Sequence, residues 1–288
     1  MSSSPPRPAP CSCTACRRRT EVFELGPALL FCPGDRPERF VKAAERSDAV
    51  ILDLEDAVAP DAKAAARAHV AASDLDPSRV IVRVNAPDTA EFDDDLAMLA
   101  ASPFRTVMVA KTEGAAALDR FDESYSLIAL CETARGVSEA ARIAAHDRIV
   151  GLMWGAEDLV ASLGGTASRH ADGRYRDAAR YARSRILIEA SAHGKAAIDA
   201  VHIDIDDLLG LAAEAEDAAA SGFRATACIH PGQVATIRSA YAPDAETLGW
   251  AREVLAAAEG ERGVFRFRGR MIDEPLLRHA RAVSARGA

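Results

Sequence analysis

No apolar run in this 288-residue chain approaches the ~20 consecutive residues that a membrane-spanning helix needs. Positive charge is also in short supply. Asp and Glu number 43 against 35 Lys and Arg, a net charge of −8, so a nucleic-acid footprint spread over the whole surface is excluded and an anionic ligand needs its own local basic patch. There is no P-loop, and the first strand-like run is followed by CPGDRP rather than by a GxGxxG phosphate turn. No secretory leader is expected either, because Arg17, Arg18 and Arg19 run into Glu21 and Glu24 and only a short apolar patch. These absences lead to the expectation of a cytoplasmic protein of ordinary globular composition, 49% hydrophobic and 27% charged.

Cysteine is scarce where a disulfide framework would need it. Cys11, Cys13 and Cys16 crowd the N-terminal tail, while Cys32, Cys131 and Cys228 each lie at the end of an apolar run, a pattern of buried thiols in a reducing compartment. Residues 1–25 are rich in Ser, Pro and Arg without apolar periodicity and are expected to be disordered. The CxCxxC in that tail makes a poor zinc site, since structural zinc takes typically about four ligands and no His is near.

What is present is alternation. Eight short β-rich runs (28–32, 49–54, 79–84, 106–110, 126–132, 149–155, 197–203 and 225–230) alternate with Ala-rich amphipathic stretches such as PERFVKAAERS, PDAKAAARAHVAA, TARGVSEAARIAAH and DLLGLAAEAEDAAASG. Eight strands with interleaved helices predict an α/β fold, a (β/α)8 TIM barrel over residues 26–240, in preference to an open doubly wound sheet, which would want the missing Gly-rich turn. Residues 241–288 exceed what closes a barrel. A helix near 244–259, a strand-like VFRFRGRM and a final helix EPLLRHARAV form a C-terminal helical extension, whose apolar surface must be covered either by a neighbouring subunit or by its own barrel.

In such a barrel the reactive groups stand where strands end and βα loops begin. Those edges carry Asp53, Glu55 and Asp56 after the second run, Arg83 and Asn85 after the third, and Lys111 and Glu113 after the fourth. Glu132 follows the fifth, Glu157 and Asp158 the sixth, Asp204 the seventh and His230 the eighth. Glu132 and Asp158 are 26 residues apart, one βα repeat, and neighbouring strands stand ~4.8 Å apart. Two such carboxylates can share one cation. With no His or Cys completing the set, oxygen-only ligation points to Mg²⁺, with Mn²⁺ as the variant; each carboxylate taken alone is equally well a partner for a helix N-terminus. Arg83 ends an otherwise apolar strand, where a guanidinium needs an anion that its planar fork can grip. That anion is either a substrate carboxylate or the neighbouring Asp53 or Glu55 in a structural ion pair.

A nucleotide-like tail has one candidate docking place, because Arg36, Arg39 and Lys42 recur at i, i+3 and i+6 where the first helix begins. The alternative is a solvated helix face.

Seven blocks, LFCPGDRPERFVKA, VILDLEDAV, RVNA, ALCETARG, GLMWGAEDLVASLGG, CIHPGQ and RGRMIDEP, occur in this order. From about residue 26 to 280 the chain resembles the citrate lyase β-subunit-like enzymes of the HpcH/HpaI aldolase superfamily, relatives of malyl-CoA and citramalyl-CoA lyases. The resemblance implies a (β/α)8 barrel, a homotrimer, and Mg²⁺ held by the Glu of the ETxxG block and the Asp of the GxEDL block, here Glu132 and Asp158. It further implies that Arg83 holds a 2-oxoacid carboxylate. Asp273, in which composition shows only a helix N-cap, becomes by resemblance an acid/base supplied from an adjacent subunit. Lys111 and Asp53 are expected to join Arg83 and Glu132 around the substrate, and Arg36, Arg39 and Lys42 to receive coenzyme A. One departure is Ala110, where relatives usually carry Pro before the Lys. Nothing points to an acyl-carrier-protein partner, so a stand-alone CoA-ester lyase fits better.

The reaction so implied cleaves a 3-hydroxyacyl-CoA, such as malyl-, citramalyl- or citryl-CoA, into acetyl-CoA and a 2-oxoacid, or runs in reverse. Three rivals stand beside it: an aldolase for free hydroxyacids, a malate-synthase-like thioesterase acting on acetyl-CoA plus glyoxylate, and a non-catalytic binding subunit. Intact Glu132, Asp158, Arg83 and Asp273 argue against the last.

Overall fold

The computed structural model describes residues 23–261 and 263–287. The expected disorder of residues 1–22, with Cys11, Cys13 and Cys16, lies outside the described residues. Residues 23–25, counted with that tail in the sequence, do have a place: Phe23 and Leu25 pack against the apolar interior of the barrel.

Eight strands close that barrel: β1 (Ala28–Pro33), β2 (Ala49–Asp53), β3 (Val80–Val84), β4 (Thr106–Val109), β5 (Ser126–Cys131), β6 (Ile149–Trp154), β7 (Ala196–Asp199) and β8 (Ala225–Cys228). Each runs parallel to its neighbours, and β8 pairs back onto β1. The helices around them are α1 (Phe40–Arg46), α2 (Lys63–Ala71), α3 (Glu91–Ala100), α4 (Ala134–Ser138), α5 (Ala140–Ala144), α6 (Ala156–Ser162), α7 (Asp177–Ala192), α8 (Leu208–Ser221) and α9 (Val234–Tyr241). Between β4 and β5 stands only a 3₁₀ segment, Ala115–Arg120. The expected (β/α)8 barrel is thus the fold.

The strand sequences explain the two apolar layers. Side chains alternate across a strand, so Leu29, Ile51, Ile81, Ile128 and Ile198 fill the barrel interior, while Leu30, Val50, Leu52, Val82 and Leu127 face the helices. That parity continues to the strand ends. Counting in twos from Ile51, Ile81 and Ile128 reaches Asp53, Arg83 and Glu132, which therefore emerge at the C-terminal mouth of the barrel. Register then places Asp53 beside Arg83 across β2 and β3, and Cys131 beside Trp154 across β5 and β6.

Two elements differ from the sequence reading. The run 197–203 leaves the sheet at Asp199, because that carboxylate accepts the Ala200 amide (3.1 Å) and takes the backbone donor away from the ladder. Asp204 consequently stands out in a loop, where it accepts the amide of Asp206 (3.1 Å), and is not a strand-end group. The stretch 133–146 breaks into α4 and α5 at Glu139, whose φ/ψ of −87°/3° leaves the helical well.

Beyond the barrel, α10 (Ala245–Ala258), a hairpin of β9 (Phe265–Phe267) and β10 (Arg270–Ile272), and α11 (Glu274–Arg286) build a separate small core around Ala251, Val254, Ile272, Leu277 and Ala280. Arg286 donates to the carbonyl of Ala219 (3.2 Å), tying the end of α11 to α8.

Candidate active site

A cavity of about 190 Å³ opens at the C-terminal mouth of the barrel, floored by the inward-facing Leu130 and Met153. One part of its wall is charged (Asp53, Arg83, Glu132, Glu157, Asp158) and another is apolar (Val201, Ile203, Ile229).

Arg83 is held from three directions. Its Nε and one terminal nitrogen donate to the two oxygens of Asp53, both at 2.6 Å, its other terminal nitrogen meets Glu55 at 3.0 Å, and its guanidinium lies 4.9 Å from the Phe31 ring centre. Asp53, fully buried, also accepts the amides of Glu55 (2.9 Å) and Ala57 (3.1 Å), so all four of its acceptor positions are used. Burial alone would lower the guanidinium's pKa; Asp53 first, then Glu55, more than offset it and hold Arg83 charged.

Glu132 is buried, and its Oε1 accepts the backbone amide of Lys111 (3.1 Å). Gly155, the inward-facing position just past the adjoining β6, leaves room for that carboxylate, since a Cβ there would stand 2.7 Å from Glu132 Oε2. Burial first, and then the charge of Asp158, push the Glu132 carboxyl up to about 8 against the opposing pull of Arg83 and Lys111. Two carboxylates lining one cavity, with oxygen-only donors, form a donor set suited to a hard divalent cation. Among the described residues no group of three or more His, Cys, Asp and Glu is placed to hold a metal, so the fit is that of a two-carboxylate site completed by other oxygens.

Lys111 links the acidic groups. It adopts φ +46°, a left-handed conformation that costs a non-glycine residue energy, and in that conformation its amide meets Glu132 while its ammonium bonds Glu55 and Asp56 and lies 3.6 Å from Asp158. Burial would lower the Lys111 pKa, but Glu55 and Asp56 raise it above its ordinary value. Desolvation would raise Asp56; the bond from Lys111 outweighs it and lowers that carboxyl, whereas burial keeps Glu55 raised.

The structure therefore brings together Asp53, Arg83, Lys111, Glu132 and Asp158, all named from the strand ends. Other sequence candidates lie elsewhere. Arg36, Arg39 and Lys42 are exposed on the turn after β1 and on α1, and the two guanidinium groups lie 3.8 Å from Asp35 and Glu38 respectively. Within this chain Asp273 lines no part of the cavity; it caps α11 by accepting the Leu276 amide (3.2 Å). Glu113 accepts the Thr133 hydroxyl (2.8 Å), and His230 caps the turn after β8.

Several supporting residues carried no chemical signal in the sequence. Lys63 donates to the carbonyls of Leu54 (2.8 Å) and Glu55 (3.0 Å) and to Asn85 (2.7 Å), fastening the loop after β2 to the end of β3. Asp95, part of an acidic stretch that reads as a solvated helix face, is fully buried and accepts both the backbone and side-chain nitrogens of Asn85 (2.8 and 2.7 Å). Gly155 was detectable only by carrying the inward parity one residue past β6.

Residues 28–231 match the family model described as HpcH/HpaI aldolase/citrate lyase. The chain belongs to this family. Human mitochondrial citramalyl-CoA lyase is 32% identical over 286 residues, covering 88% of this chain and 83% of that protein. A (3S)-malyl-CoA thioesterase of Cereibacter sphaeroides is 33% identical over 271 residues, covering 90% and 93%. The crystal structure of CitE from Mycobacterium tuberculosis, in complex with magnesium, acetoacetate and coenzyme A, superposes with a TM-score of 0.87 at 55% identity, covering 92% of this chain and 98% of that one. Family membership makes the chain an enzyme of the lyase class.

Proposed function

We propose that this enzyme is a Mg²⁺-dependent carbon–carbon lyase that cleaves a 3-hydroxyacyl-CoA into acetyl-CoA and a 2-oxoacid, or condenses the two. The observation that carries the reading is the joint presence of Glu132, Asp158 and Arg83 on one cavity wall. Glu132 and Asp158 would hold the ion, Mn²⁺ being an acceptable substitute on the same oxygen donors. Bound there, it would supply Lewis-acid polarisation of the substrate's oxygens.

The chain's own groups account for the rest. Arg83, locked by Asp53 and Glu55, offers a fixed positive charge that fits the carboxylate next to the scissile bond. Lys111, whose backbone amide anchors Glu132, offsets the negative charge of the acidic cluster. In the cleavage direction a base takes the substrate hydroxyl proton, the carbon–carbon bond breaks with its electron pair moving to the thioester's α-carbon, and that carbon must gain a proton. Asp273 is the acid/base assigned to that transfer. Since it caps α11 away from its own cavity, the role requires a second copy of the chain, consistent with the expected homotrimer. Arg36, Arg39 and Lys42, exposed beyond the same end of β1, are the proposed contacts for the CoA phosphates. A cytoplasmic location is part of the proposal; among the described residues no helix is long and apolar enough to cross a membrane.

A second reading is favoured by the thioesterase relative: condensation of acetyl-CoA with glyoxylate followed by hydrolysis of the product thioester. A panel of malyl-, citramalyl-, citryl- and β-methylmalyl-CoA, assayed with and without Mg²⁺, tests the first reading, and absence of any Mg²⁺-dependent cleavage overturns it. Free CoA released from acetyl-CoA only when glyoxylate is present would establish the second.

A further inference from the structure

The apolar wall of the cavity consists of loop residues, yet loops do not hold a shape without bonds of their own. Val201 and Ile203 follow β7, and Ile229 follows β8; in the closed eight-strand order this side of the mouth lies opposite β3 and β4, which carry Arg83 and Lys111. One buried side chain joins the two loops. Gln233 is fully buried, its Oε1 accepts the amides of Ile229 (3.1 Å) and His230 (3.2 Å), and its Nε2 donates to the carbonyl of His202 (2.9 Å). His202, flanked by Val201 and Ile203, is fastened from its other side by a ring contact to Glu214 on α8 (2.9 Å).

We infer that Gln233 is a positioning residue whose three hydrogen bonds lock the loops after β7 and β8 together and so set the size limit of the apolar wall that meets the substituent on the 2-oxoacid. The inference rests on the lyase reading for the identity of the ligand, and on geometry alone for the lock. An amide is the side chain that satisfies this place, because two facing donors and one facing acceptor demand one carbonyl oxygen and one N–H at the same terminus. Gln233→Glu keeps the oxygen that accepts from Ile229 and His230 but sets a second oxygen against the His202 carbonyl, so it opens the bond between the loops without dismantling the turn.

The test measures Gln233→Glu alongside wild type in two ways. In ligand-free protein with ¹³C-labelled isoleucine methyls, the Ile203 resonance should shift and lose order while Ile186, deep on α7, stays unchanged. In the condensation direction with acetyl-CoA and Mg²⁺, KM for pyruvate should rise about tenfold with kcat within about threefold. The preference for pyruvate over 2-oxobutyrate should fall by at least about threefold, since one methylene in an apolar pocket typically decides ~10–200-fold of selectivity. Glyoxylate, which bears no substituent, should change least. Ile203→Ala, which shortens the wall but leaves the lock intact, should give the same loss of size preference; if Gln233→Glu does not fold, Gln233→Met, which keeps the length of the side chain but removes all three hydrogen bonds, takes its place in both measurements. An unmoved Ile203 methyl, or equal weakening of all three 2-oxoacids, overturns the inference. If wild type turns over none of the three, the lyase reading fails, and the methyl spectra alone decide whether the lock exists.

Discussion

Replacing Asp53 with Asn removes one charge and about one oxygen, and the structure says how much should follow. In the wild type two oxygens take four donors: Arg83 twice at 2.6 Å, Glu55 N at 2.9 Å and Ala57 N at 3.1 Å. The amide group of Asn must turn its own N–H bonds towards two of these donors, so about half of the contacts become donor against donor. Arg83, only 9% exposed, keeps its contact to Glu55 but loses its bidentate partner. Breaking one side of a buried, hydrogen-bonded pair costs about 3–5 kcal/mol. For a chain of this size that corresponds to a melting temperature lower by on the order of 10 °C. Scanning calorimetry at neutral pH in the absence of ligand reads the shift. A loss of less than about 2 °C in Asp53→Asn would refute the view that this pair is a desolvated lock.

Three further outcomes are expected. Asp158→Ala, at a half-exposed position, should melt within about 2 °C of wild type yet lose Mg²⁺-dependent turnover, as measured by CoA-ester cleavage across a Mg²⁺ titration; retained Mg²⁺ dependence would remove Asp158 from the site. Gly155→Ala should demand about tenfold more Mg²⁺ for half-maximal activity with little change in folding, because its Cβ would displace Glu132 Oε2 but its backbone (φ −129°) suits any residue; an unchanged requirement would mean that Glu132 moves aside freely. The His202–Glu214 contact should show in the pH dependence of stability. The bond to Glu214 raises His202 above 6.5, so its contribution is complete below that value and fades as pH rises through the folded-state pKa. Burial would raise Glu214, but its bonds to His202 and Arg169 lower it below 4.5, so its contribution is present above that value and is lost on acidification. The melting-temperature gap between wild type and Glu214→Gln should thus be widest between about pH 4.5 and 6.5 and narrower at pH 8.5. A gap that does not vary with pH contradicts this.

Much of the barrel was legible because its signal is local. Most strands are short apolar runs and most helices amphipathic stretches carrying Ala, and both depend only on residues close in the chain. The errors fell where a side chain competes with the backbone. Asp199 ends β7 by capturing the next amide, so a run that reads as strand through residue 203 becomes a loop, and Asp204 loses its apparent place at a strand end. A carboxylate's habit of bonding its neighbour's amide is visible in the residue type, but whether the ladder or the side chain prevails depends on the adjoining strand, which the sequence does not display.

The candidate site divides along the same line. Asp53, Arg83 and Glu132 are recoverable because parity and strand ends place them, and register makes Asp53 and Arg83 neighbours. The residues that hold them were not recoverable, because their meaning depends on distant partners. Lys63 is one exposed-looking cation at a helix start until Asn85, 22 positions on, accepts from it. Asp95 is one of three consecutive aspartates, yet it is the one turned into the core towards Asn85, at 0% exposure. Gln233 is one polar residue two places after a proline until its amide is seen to span two loops. Asp53, Arg83 and Glu132 stand at or next to strand ends, where parity can place them; a supporting side chain has only to reach its partner, and many positions satisfy that. Charge-bearing groups at the mouth of this barrel are therefore readable one at a time, whereas the hydrogen bonds that fix their directions become readable only when the strands are laid side by side.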